Sequence, residues 1–240
     1  MREAITVQGL AKSYGDRVVV NNLNLSVKSG TVFGLLGANG AGKSTTIECI
    51  LGTKRADSGT VQLLGQSPSH NRRELFQHIG VQFQQSDYQQ EIRVDELCQE
   101  TASLYRTPAD WRALCSQFGL GDKIKSAVRS LSGGERQRLF IGLALIPQPA
   151  LVFLDELTTG LDAKARRGVW KTLESLREKG LTIFLTSHFM DEVEALCDEI
   201  CILKHGTPVF YGTVEEAKRR CGCEHFEDAY LMLSDEEAEQ

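Results

Sequence analysis

Long hydrophobic runs are missing from this chain. The longest apolar stretch, Leu139 to Ile146, stops at Pro147-Gln148-Pro149, far short of the roughly 20 residues a helix needs to cross a bilayer. No secretory leader is evident either, because Met1-Arg2-Glu3-Ala4 opens without an apolar region. A basic excess is also missing. Lys and Arg number 27 against 32 Asp and Glu, a formal net charge of −5, so no global positive field invites nucleic acid. The seven cysteines are odd in number and scattered, which excludes a disulfide framework and predicts reduced thiols. Their one local group, Cys221-Gly222-Cys223-Glu224-His225, has neither zinc-knuckle spacing nor an obvious fourth ligand. It reads as packing and surface cysteines. With no internal repeat and no low-complexity linker, the 240 residues suit one α/β domain with a sizeable core.

What is present is a series of short apolar runs separated by helical patterns. Residues 3–8 and 24–28 alternate apolar and polar as half-buried strands do, and Asn21-Asn22 and Ser29-Gly30 read as turns between early strands. An antiparallel N-terminal β lobe is therefore expected. Thr31 to Leu36 is unbroken apolar, the pattern of a strand covered on both faces, and comparable runs end at Phe83, Leu154, Leu185 and Leu203. Intervening helices predict a mainly parallel sheet. Between residues 94 and 130 the rhythm breaks. Two helices follow one another, the second opened by Pro108, which predicts an inserted helical subdomain over about 88–146. After Leu203 come a short strand ending at Gly212, a helix from Val214, and an apolar segment over 226–233.

Chemistry concentrates in three stretches. The first, Gly37-Ala38-Asn39-Gly40-Ala41-Gly42-Lys43-Ser44-Thr45, lies between a strand and a helix, which is the context of a phosphate-binding (Walker A) loop. Its glycines let backbone N–H groups face a phosphate at a helix N-terminus. Lys43 supplies charge for the β- and γ-phosphates, and the Ser44 hydroxyl is a ligand for Mg²⁺. The second stretch is Leu131-Ser132-Gly133-Gly134-Glu135. Ser132 and Glu135 have the spacing of a capping box, and the glycines bare a second anion-seeking helix start. The third is Leu151 to Glu156, a buried strand that delivers Asp155 and Glu156 at its C-terminal end, where open α/β sheets bind ligands. Asp155 is placed to hold Mg²⁺ and Glu156 to polarise the attacking water. His188, just past the run ending at Leu185, joins them.

In these residues the chain resembles the nucleotide-binding subunits of ABC transporters, from Ile5 to about Leu233. Leu131–Glu135 matches the family's signature, with Glu where Gln is commonest. Asp155-Glu156 matches its acidic pair, Gln84 its metal-side glutamine, His188 its switch histidine and Tyr14 its adenine-stacking aromatic. Asp162 matches its dimer-interface aspartate. Leu157 departs from the usual Pro, which is expected to loosen that turn.

The resemblance implies a P-loop NTPase core and an ATPase that hydrolyses ATP with Mg²⁺ held by Ser44, Gln84 and Asp155. It implies a head-to-tail homodimer or pseudo-dimer in which Ser132, Gly133 and Gly134 close over the partner's ATP. It also implies integral membrane permease subunits as partners, docked near Phe83, Tyr88, Tyr105 and Trp111. That would make the chain cytoplasmic, peripheral on the inner face of the cell membrane, with no nucleic acid partner. Residues 213–233 resemble the docking segment of the drug, antibiotic and lipid exporter subgroup. The competing reading is a soluble ABC ATPase in cofactor assembly, a matter of fold-level analogy.

Overall fold

The protein is described here from a computed structural model covering residues 2–83, 88–89 and 91–235. The N-terminal alternation folds as a long antiparallel hairpin, β1 (Glu3–Tyr14) and β2 (Arg17–Lys28). Gly15-Asp16 makes the two-residue turn, with Gly15 at φ 57°, a left-handed conformation that follows the twist of the strands. Asn21-Asn22, expected as a turn, lies instead inside β2. The register slips by one residue between Leu10↔Leu23 and Lys12↔Val20, and Asn22 sits at φ 48°. This is a β-bulge. It aims the Asn21 amide at the Gly206 carbonyl, 2.9 Å away.

The apolar run of β3 (Val32–Leu36) is buried at every residue and leads through the glycine-rich loop into α1 (Lys43–Ile50). Next comes β4 (Ser58–Leu63), which pairs with β1 and completes a three-stranded sheet ordered β2-β1-β4. Sequence reading passes over β4 because only its last residue, Leu63, is fully buried. The short α2 (Arg72–Leu75) precedes β5 (Ile79–Gln82). The insert follows as α3 (Val94–Ser103) and α4 (Trp111–Gln117), with two 3₁₀ turns before α5 (Gly133–Leu145). Helix α4 starts at Trp111, not at Pro108. The Asp110 carboxylate accepts from the Arg112 amide at 2.9 Å, and that cap fixes the helix start.

The rest alternates as read: β6 (Leu151–Leu154), α6 (Ala163–Glu178), β7 (Thr182–Thr186), α7 (Met190–Leu196) and β8 (Glu199–Lys204). The chain ends through β9 (Thr207–Gly212), α8 (Val214–Cys221) and α9 (Phe226–Asp235). The second sheet is ordered β5-β6-β7-β3-β8-β9, parallel except for the antiparallel edge strand β9.

Three cores hold these layers. Between the two sheets, α1 packs Ile47 and Ile50 against Leu10, Val20 and Leu23 on one side and Phe33, Phe153 and Phe184 on the other. Phe184 links the other two rings at centroid distances of 5.3 and 5.2 Å; each fully buried Phe contributes roughly 1.5–3 kcal/mol. The opposite face of the parallel sheet meets the helical insert, with Trp111, Phe118, Leu139 and Ile141 buried there. The third core seats α8 and α9 on β8 through Phe226, Ala229 and Leu233, with Cys221 and Cys223 packed at its margin.

Candidate nucleotide-binding site

Helix α1 is buried on both sides, so its N-terminus is rigidly placed at the C-terminal edge of the parallel sheet. The loop before it is shaped by glycine. Gly42 caps the helix at φ 103°, and a Cβ there would run into the Val19 carbonyl. Only glycine can occupy that position. A chain of backbone bonds braces the loop from behind: Gly206 donates to the Ala41 carbonyl at 3.0 Å, and the β2 bulge donates to Gly206. The bulge therefore serves the phosphate loop.

Lys43 is 7% exposed, and its Nζ donates to the carbonyls of Gly37 and Ala38 at 2.7 and 3.2 Å. Burial lowers its pKa, while the nearby Glu156 and Asp155 carboxylates pull the other way. The loop lysine and the acidic pair thus lie within electrostatic reach of each other.

Glu156 sits at φ 53°, a left-handed conformation that costs a non-glycine residue about 1–2 kcal/mol. Three contacts hold it there. Its amide donates to Thr186 Oγ1 at 2.9 Å, and Thr186 in turn donates to Asp155 Oδ1 at 2.5 Å. Gln137 of α5 donates to the Glu156 and Leu157 carbonyls at 3.3 and 2.8 Å. The Glu156 side chain meets His188 Nε2 at 3.0 Å from its Oε1. Leu157, expected to loosen the turn, is fully buried in the helical core. Its side chain anchors the turn by burial.

These elements line one cleft of about 690 Å³. Of the residues expected from sequence, Tyr14, Asn39, Gly40, Gly42, Lys43, Ser44, Thr45, Glu156 and His188 all face it. Gly37 and Ala41 are buried in the loop and Asp155 is 5% exposed beside Glu156. Tyr14 is 46% exposed at the hairpin tip, with the ammonium groups of Lys12 and Lys54 at 5.4 and 5.6 Å from its ring centre. Gln84 lies outside the described residues. Ser132, Gly133, Gly134 and Asp162 do not line this cleft. Ser132 and Gly133 are solvent-exposed at the start of α5, where Ser132 and Glu135 form the expected reciprocal cap. The Ser132 amide beside Glu135 holds its carboxyl below the usual range. Asp162 caps α6, accepting from the Ala165 amide at 2.8 Å.

Sequence reasoning missed Arg17, Thr159 and Phe189, which also line the cleft, and Thr186 and Gln137, which brace Glu156. Arg17 could have been found from its place opposite Tyr14 across the Gly15-Asp16 turn. Among the candidate docking aromatics, Trp111 belongs to the helical core. Tyr88 and Tyr105 are half-buried against that core, and Phe83 against the core between the sheets.

The donor set here is hard oxygen, the Ser44 hydroxyl and the Asp155 carboxylate near a buried lysine, which fits Mg²⁺ and not a soft metal.

Among known proteins, the family model described as ABC transporter matches residues 20–159. The Nod factor export ATP-binding protein I of Ralstonia nicotianae is 40% identical over 227 residues, covering 92% of this chain and 70% of that protein. Its counterpart in Rhizobium sp. strain N33 is 39% identical over 230 residues, covering 93% of this chain and 76% of that protein. A solved ATP-binding subunit of an ABC transporter superposes with a TM-score of 0.89 at 25% identity, covering 97% of this chain and all of the other.

Proposed function

The chain belongs to the ABC transporter ATP-binding family, and from that premise we propose that it is the ATP-hydrolysing subunit of an exporter whose membrane-spanning part is a separate permease. The observation that carries this reading is the Glu156–His188 pair at 3.0 Å, lining one cleft together with Lys43 and Tyr14. Lys43 is the cation for the β- and γ-phosphates, and the loop amides at the start of α1 bind them. Tyr14 offers its exposed ring to the adenine. Glu156 takes the proton of the attacking water, and His188 orients Glu156 and contacts the γ-phosphate. Ser44 and Asp155 would hold Mg²⁺, together with Gln84, and the ion supplies charge neutralisation at the phosphates when bound.

Two features support a head-to-tail dimer, either of identical chains or of a pseudo-symmetric pair. Ser132 and Gly133 are exposed to solvent, Gly134 is half-buried beside them, and none of the three lines the chain's own cleft, so they are free to close on the ATP of a second subunit. Asp162 caps the helix that follows the acidic turn, next to that surface. ATP held by both subunits favours the closed dimer, and loss of the γ-phosphate releases it, which is a ligand acting through its differential affinity for two states.

No helix among the described residues is long and apolar enough to cross a membrane, so an export reading requires integral membrane partners. Docking of the helical insert (88–146) and the segment 213–233 against those partners would hold the chain on the inner face of the membrane. The relatives are named for export, and cofactor assembly is not favoured. Glu156→Gln tests the assignment. The variant is expected to bind ATP and dimerise while hydrolysis stops, and near-normal turnover would refute the role given to Glu156.

A further inference from the structure

We propose that Glu192 is a positioning residue for hydrolysis: its buried carboxyl locks Thr158, and with it the Glu156 turn, to the segment that carries His188. Glu192 is fully buried on α7. One oxygen, Oε1, accepts from Thr158 Oγ1 at 2.8 Å and from Trp170 Nε1 at 2.9 Å. The other, Oε2, is cut off from solvent, with the Ser187 side chain of the histidine segment beside the carboxyl. A carboxyl in such a place costs stability unless it earns a structural return elsewhere.

The return is visible in what Glu192 joins. Thr158 lies two residues beyond Glu156, and His188 lies four residues before Glu192. The acidic turn and the histidine segment therefore meet twice, once through Glu156 and His188 and once through Thr158 and Glu192. The first contact is partly open to solvent, with His188 36% exposed. The second is dry. A contact partly open to solvent is more easily lost, whereas a buried bond to a shared acceptor fixes both partners in register. Trp170 extends the lock to α6. Arg166 of the same helix lies over the Trp170 and Phe189 rings at 5.5 and 4.8 Å and pairs with Asp191 at 3.1 Å. Three elements thus converge on the acidic turn that presents the general base: α6, the histidine segment and α7.

The test measures ATP hydrolysis and ATP affinity of the full chain carrying Glu192→Ala, Glu192→Gln, Thr158→Val, or Thr158→Val with Glu192→Ala. Loss of either end of the bond is expected to lower kcat on the order of tenfold while affinity stays within about twofold. Gln keeps the size and the accepting oxygen, so it restores most of the turnover. The double variant is no slower than Glu192→Ala, because both changes break one interaction. Unchanged turnover in Glu192→Ala, losses that multiply in the double variant, or a loss confined to affinity overturns the proposal. If Glu192→Ala does not fold, Thr158→Val and Trp170→Phe each remove one of its two bonds; reduced kcat at constant affinity in both supports the role, and full turnover in both overturns it. The inference rests on hydrolysis being centred at Glu156. Glu156→Gln in the same assay separates the two failures: if it retains turnover the site itself is wrong, and if it abolishes turnover while Glu192→Ala runs at full rate only the role of Glu192 falls.

Discussion

Thr186→Val isolates the support beneath the proposed catalytic turn. Thr186 is fully buried at the end of β7 and spends its hydroxyl twice, accepting from the Glu156 amide at 2.9 Å and donating to Asp155 at 2.5 Å. Valine keeps the volume, so no cavity opens, but both bonds go. A buried polar group left without its partner costs about 1–3 kcal/mol. Asp155 and Glu156 keep other interactions, so the combined loss is expected at about 2–4 kcal/mol. For a chain of this size each kcal/mol lowers Tm by roughly 2–4 °C. The effect on function should exceed the effect on stability. Glu156 is held at φ 53°, and without its amide bond the turn relaxes toward an ordinary conformation, drawing the carboxylate away from His188. A fall in kcat of more than about tenfold follows, with ATP affinity nearly unchanged because the phosphate loop is untouched. Thr186→Ser retains the hydroxyl and should recover most of both losses. Urea unfolding and steady-state ATP hydrolysis measure the two effects. If Thr186→Val unfolds within about 0.5 kcal/mol of the unsubstituted chain and turns over normally, the bracing argument is wrong.

Two further outcomes can be checked in the same way. Gly42→Ala forces a Cβ toward the Val19 carbonyl at a φ of 103°; ATP affinity by equilibrium titration should drop more than about tenfold as the loop shifts, and an unaltered affinity would show that the loop does not need glycine there. Glu192 supplies a pH test. Burial raises its carboxyl above the ordinary 4.5, against the pull of Ser187, Trp170, Thr158 and Arg166, with Asp191 and the Cys197 thiol nearby. The folded state thus gives up this proton at a higher pH than the unfolded state does. That contribution is complete below the unfolded pKa and is lost as pH rises through the folded one, so Glu192→Gln should gain stability relative to the unsubstituted chain as pH rises above the ordinary carboxylate value of 4.5. A stability difference that stays flat over this range in urea unfolding counts against it.

Motif and periodicity carried much of this protein. The order of apolar runs predicted a mainly parallel sheet, because strands buried on both faces leave no polar alternation, as in β3, β6 and β7. The glycine-rich loop, the acidic pair and His188 were legible because each sits at the end of a strand, where chain order alone puts a residue at the ligand edge. Less could be read where local chemistry was ambiguous. Asn21-Asn22 has turn composition, yet its backbone is set by a bond to Gly206, 185 residues away in sequence from Asn21. Strand β4 has too little apolar weight to announce itself and is defined by its pairing with β1.

The amino-acid sequence by itself determined that this chain carries a triphosphate-binding loop, which side chains are candidates to touch the nucleotide, and which family it resembles. Only the tertiary structure decided how those side chains are held. Thr186, Gln137 and Glu192 are ordinary polar residues in apolar surroundings, and nothing in their spacing marks them. They act because the fold brings β7, α5 and α7 against one strained turn, where their hydrogen bonds together fix a backbone conformation that Glu156 would not adopt alone.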